Sequence, residues 1–137
     1  MKMLTCKRVL AAVWLVLGGI AVVVLIGQMI TDRYGSRVGD VWTWFSVYFL
    51  PAATVVFFAS GVGTHDSESN QAMVSRGAFL GAVILSVLYL VLILLPLLAQ
   101  PFVEADSPFE ALAKWAIVLA LFQSIVIGAL AAVYIRP

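Results

Sequence analysis

Long apolar runs separated by short polar segments dominate the chain. Residues 9–30, 41–63, 77–99 and 115–135 contain no Asp, Glu, Lys, Arg or His between their ends. Each run reaches about twenty residues or more, enough at about 1.5 Å of rise per residue to cross a hydrocarbon core of roughly 30 Å as an α-helix. With the flanking interfacial turns included, the pattern predicts helices over residues 9–30, 41–63, 72–99 and 108–135. The expected fold is an all-α membrane protein, one domain over residues 1–137, with four transmembrane helices in an up-down-up-down bundle joined by short loops.

The segments between the runs supply punctuation. Gly35 and Gly39 break the first loop, and Ser107-Pro108-Phe109-Glu110 reads as a helix start. There Ser107 caps, Pro108 takes the first helical position where its missing N–H costs nothing, and Glu110 can close a capping box. Trp42, Trp44, Phe45 and Tyr48 open the second run, with Trp115 and Tyr134 near the ends of the fourth. Such rings settle among lipid headgroups, so an interfacial belt is expected, an aromatic ligand cage being the other reading.

Composition removes the soluble alternative. The chain of 137 residues is 64% hydrophobic and 11% charged, whereas a soluble domain has about 25% charged residues. A water-soluble fold of this size could not hide that much apolar surface. A net charge of +1 without a Lys/Arg cluster gives no reason to expect nucleic acid as a partner. The lipid bilayer is the partner that composition supports.

Basic residues set the expected orientation. Lys2, Lys7, Arg8, Arg76 and Arg136 fall on one side, against Arg33, Arg37 and Lys114 on the other. The excess places both termini in the cytoplasm. The first run is too long for a cleaved signal peptide and is expected to remain as a helix. Cys6 is the only cysteine, which excludes an internal disulfide and a CxxC redox pair. It reads as an inert thiol, with reversible acylation as the other reading.

Small residues recur where helices would approach. Ala116, Ala120, Ser124, Gly128 and Ala132 form a four-residue series, and Gly77 with Gly81, then Ala78, Ala82 and Ser86, form shorter ones. In lipid, close backbone approach drives helix association, so Gly77, Gly81, Ala120, Ser124, Gly128 and Ala132 are packing candidates. The spacing leaves open whether they meet another helix of the same chain or a second copy. Gly18-Gly19 and Ala21 offer a weaker contact on the first helix.

Pro51 and Pro96 lie within helices and free the carbonyls of Val47 and Leu92. Each freed carbonyl needs a new donor, with Tyr48, Thr54 or a neighbouring helix as candidates for the first. Pro51 reads as a static bend or as a gating hinge. Gln123 is the costliest polar side chain to expose to lipid and is expected to face the bundle and form a hydrogen bond. In the other reading, Gln123 and Ser124 of several copies line a polar constriction.

The apolar runs carry no ionisable group of the kind that ion-coupled transport, proton relays or voltage sensing require. They also lack a nucleophile–base pair or a metal-ligand set for intramembrane hydrolysis. His65, Asp66 and Glu68 in the second loop fall short of the spaced ligands a metal site needs and read as a solvated loop. No enzyme, cofactor or metal is therefore expected.

Arg33-Tyr34-Gly35, Trp42-Thr43-Trp44-Phe45, Leu50-Pro51, Leu97-Leu98-Ala99-Gln100-Pro101-Phe102, Ser107-Pro108-Phe109-Glu110 and Phe122-Gln123 together span most of the chain. In these stretches it resembles a group of small bacterial four-helix integral membrane proteins with no established activity. The resemblance implies a bacterial inner-membrane location and is compatible with an effector or accessory role. The expected function is a non-enzymatic membrane component that self-associates or serves as an accessory subunit of a membrane complex, the alternative being an oligomeric channel or membrane-disrupting effector. A lipid-handling enzyme using His65 or Asp66 is the remaining class.

Overall fold

A computed structural model of the chain describes residues 2–61, 73–102 and 107–134. Four long helices carry it: α1 (Met3–Ile30), α2 (Val38–Gly61), α3 (Arg76–Ala99) and α4 (Pro108–Tyr134). Each is long and apolar enough to cross a membrane. Short 3-10 turns at Gly35–Arg37 and Gln100–Phe102 lead into α2 and out of α3.

Three helix starts differ from the sequence expectation: α2 opens at Val38 rather than at residue 41, continuous with the 3-10 turn before it, and α1 and α3 differ for local reasons. α1 begins at Met3 rather than at residue 9, because its buried face (Met3, Cys6, Leu10, Trp14, Gly18, Ala21, Leu25) keeps a spacing of three or four through the polar N-terminal segment. α3 begins at Arg76 rather than at residue 72. Ser75 is its N-cap and accepts a hydrogen bond from the Ala78 N–H, while Met73 is paired with Lys2 in an isolated antiparallel bridge. α4 starts at Pro108 as its capping sequence predicts.

α1 ends in a Schellman arrangement without glycine. The Arg33 N–H donates to the Gln28 carbonyl at 3.0 Å and the Asp32 N–H to that of Met29 at 3.1 Å. Asp32 takes the left-handed conformation this requires, with φ of 54°; Asp tolerates it better than most side chains. Gly35 supplies a second positive φ, of 51°, and the chain turns directly into α2.

The packing order is not the order along the chain. α1 packs against α2 and α3, and α4 against α2 and α3, whereas the consecutive helices α2 and α3 barely touch and stand diagonally. Along α4 the buried positions are Leu112, Leu119, Val126, Leu130 and Val133, and along α3 they include Phe79, Ala82, Ser86, Tyr89, Ile93 and Leu97. The outer faces are apolar as well: Leu15, Val23, Ile84, Ile117 and Leu121 are among the exposed residues. Lipid tails match such a surface, where water would not.

The aromatic group at the start of α2, expected as an interfacial belt, does not keep all its rings on the outer face. Trp44 and Phe45 are buried within the bundle, while Trp42 and Tyr48 are half-buried. A helix turns through its partners every three to four residues, so a cluster this dense cannot keep all its rings on one outer face. Phe45 stacks on Phe49 with centroids 4.9 Å apart, and Phe49 leads on to Trp14 at 5.7 Å. The rings thus cross from α2 into the α1 interface.

Candidate functional site

Among the described residues, interhelical hydrogen bonds gather at two places. The first surrounds Pro51. Pro51 has no N–H to close the helical turn on the Val47 carbonyl. The Gln123 side chain of α4 takes that role, its Nε2 donating to Val47 O at 3.0 Å and lying 3.5 Å from Tyr48 O. From α3, the Tyr89 hydroxyl donates to the same Tyr48 carbonyl at 2.6 Å. The break in α2 is therefore bridged from its neighbour α4 and, across the bundle, from the diagonal helix α3. Thr54, a candidate donor on sequence grounds, instead donates to Leu50 O within its own helix at 2.7 Å.

The second lies where α1 and α3 end and α4 begins. Pro101 stands four residues after Leu97 and leaves that carbonyl without a helical donor. Gln28 of α1 supplies one through Nε2, and its Oε1 accepts from the Tyr34 hydroxyl. Arg33 Nη2 donates to Gln100 O, and buried Gln100 donates through Nε2 to Pro108 O at 2.6 Å, joining the end of α3 to the first turn of α4. Burial pushes the Tyr34 phenol up to about 12, with the Arg33 charge pulling weakly the other way. The hydroxyl consequently stays a donor throughout the neutral range.

The two places share one solution. A proline removes a backbone donor, and a glutamine amide from a different helix replaces it. In lipid no water can do so, and an unpaired carbonyl there is costly. Stretches that carry the resemblance, with Tyr34, Pro51, Gln100, Pro108 and Gln123, supply much of this bonding.

The small-residue candidates lie elsewhere. Ala120, Ser124, Gly128 and Ala132 are all exposed, on the side of α4 away from its buried line. A Cβ built on Gly128 or Gly81 would meet nothing within 4 Å, and one on Gly77 only the Ser75 hydroxyl at 3.8 Å. Within the chain, then, α3 and α4 meet through larger side chains, apart from Ala82 and Ser86, which turn inward. Close approach occurs instead at Gly18, where an added Cβ would sit 2.5 Å from the Phe49 ring. Ser124 donates to Ala120 O in its own helix. Cys6 is buried in the core. His65, Asp66 and Glu68 lie outside the described residues.

No family model matches the chain, and no curated protein or solved structure matches it.

Gln28, Tyr34, Tyr89 and Gln100 are the polar contacts that sequence reasoning did not assign. One signal was available for Gln28: a proline four residues beyond a helical carbonyl marks an acceptor in need of a donor, which singles out Leu97 as well as Val47 and Leu92. Nothing local distinguishes the glutamines that answer them.

Proposed function

We propose that this chain is a non-enzymatic component of a bacterial inner membrane. It crosses the bilayer four times in up-down-up-down order with both termini in the cytoplasm, and it self-associates or binds another membrane protein through the small-residue face of α4. One observation carries this reading: α4 meets its own bundle with Leu112, Leu119, Val126 and Val133 and turns Ala120, Ser124, Gly128 and Ala132 outward. A lone bundle gains nothing in lipid from an outer face of small residues. A second helix laid there reaches backbone contact distance and recovers van der Waals contact that lipid chains fill poorly.

The alternative, an oligomeric channel or membrane-disrupting effector, would use the same face. Its polar candidates are engaged within the chain, Gln123 at Val47 O and Ser124 at Ala120 O, so the observations favour association over conduction.

The test is native mass spectrometry of the chain in lipid nanodiscs, with Ala120→Leu and Gly128→Leu beside the wild type. A defined oligomer that both substitutions reduce to monomer is the expected result. A wild-type monomer removes self-association and leaves the heteromeric accessory role. An oligomer indifferent to both substitutions moves the interface off α4.

A further inference from the structure

Between the first turns of α2 and α4 runs an open groove of about 250 Å³, lined by Asp40, Thr43, Trp44, Val47, Tyr48 and Phe109. We propose that it is a binding site for a single phospholipid whose headgroup carries both a phosphate and a primary ammonium. This inference goes beyond association through α4 and does not depend on it.

The groove is graded along its length as such a lipid is. At its mouth Arg37 Nη1 and Asp40 Oδ2 form an ion pair at 2.9 Å, with the two side chains 55% and 50% exposed. The Arg37 guanidinium also stands 5.2 Å from the centre of the Phe109 ring, which holds the cation at the mouth. One helical turn further, about 6 Å along the axis, is Trp44. Its Nε1–H is buried and has no hydrogen-bond partner among the described residues, although the residue is only 6% exposed. Beyond it come Val47 and Tyr48, whose carbonyls are occupied by Gln123 and Tyr89, so the inner wall presents no free backbone acceptor. Headgroup charges, an ester oxygen seeking a donor and an apolar chain follow in that order in a glycerophospholipid.

Charge complementarity selects the headgroup. An exposed ion pair is worth at most about 1 kcal/mol, so exchanging its partners is easy. A phosphate takes Arg37 in a forked contact and an ammonium takes Asp40, leaving every charge compensated. A headgroup with phosphate alone would set two negative groups side by side at Asp40. A trimethylammonium headgroup has no N–H to donate to the carboxylate.

The experiment is native mass spectrometry of the full chain released from nanodiscs containing equal amounts of phosphatidylethanolamine, phosphatidylglycerol and phosphatidylcholine with identical acyl chains. One phosphatidylethanolamine retained per chain in preference to the others is expected. Asp40→Asn should reduce its advantage over phosphatidylcholine about tenfold, the equivalent of one charge-assisted hydrogen bond. Trp44→Phe, which keeps the ring but removes the donor, should weaken retention of all three alike. Equal retention of the three lipids by the wild type, or an advantage unchanged in Asp40→Asn, would overturn the proposal. Asp40 is exposed, so its substitution tests the headgroup contact without disturbing the core.

Discussion

Gln123 of α4 donates its side-chain N–H to the carbonyl oxygen of Val47 in α2, 3.0 Å away, at the position where Pro51 leaves that oxygen without its helical partner. Proline and glutamine lie on different helices and far apart in sequence, yet each accounts for the other. Without Gln123 the proline would leave that acceptor unpaired on an apolar helix. Without the proline the glutamine would lose its best one.

A double-mutant cycle checks that link. Gln123→Leu should cost about 1 kcal/mol, the scale of an interhelical hydrogen bond in a membrane. Pro51→Ala restores an N–H four residues after Val47, so the same glutamine substitution should cost clearly less in that background. Unfolding in mixed micelles measures both; equal losses would mean that the two residues are not coupled.

Gly18 and Gly19 should respond oppositely to alanine. At Gly18 the new Cβ would lie 2.5 Å from Phe49, a ring held between Phe45 and Trp14, whereas at Gly19 it meets nothing within 4 Å. Overpacking costs about 1–3 kcal/mol and exceeds the roughly 1 kcal/mol that alanine gains over glycine in a helix. Thermal unfolding in detergent should show Gly18→Ala destabilised and Gly19→Ala unchanged or stabilised. Similar melting for the two would argue that α1 and α2 do not approach at Gly18.

The two faces of α4 predict a further contrast. Leu119 is fully buried and neighbouring Ala120 is exposed. Leu119→Ala should destabilise the bundle by about 2–5 kcal/mol through the cavity it leaves. Ala120→Leu should change monomer stability by no more than about 0.5 kcal/mol, its effect falling on association. Chemical unfolding of each variant decides the matter, and a large monomer loss in Ala120→Leu would turn that face inward.

Tyr34 gives the end cluster a pH signature. Burial raises its phenol from the ordinary value of 10 to about 12. The folded state thus favours the neutral form, and the associated stability is complete below pH 10 and lost as pH rises towards 12. Subtracting the ultraviolet phenolate titration of Tyr34→Phe from that of the wild type isolates this group. A midpoint at the ordinary value would show that the hydroxyl is not held in the cluster with Gln28.

Helix number, approximate span and the α4 start at Pro108 were legible in the sequence, because apolar length and capping are local properties. So was the need for a donor at Val47, since a proline's missing N–H is written in its own position. Partner choice was not. A four-residue series such as Ala120, Ser124, Gly128 and Ala132 describes a face without saying which way it turns. Only the helices' mutual rotation placed those residues outside and the Leu119 line inside. The same rotation brought Gln28 to Leu97 and Gln123 to Val47, set α2 diagonal to α3, and put Gly18 under Phe49. These are contacts between residues distant along the chain, made where apolar side chains of nearly uniform hydrophobicity leave shape and hydrogen bonding, rather than polarity, to choose the interior.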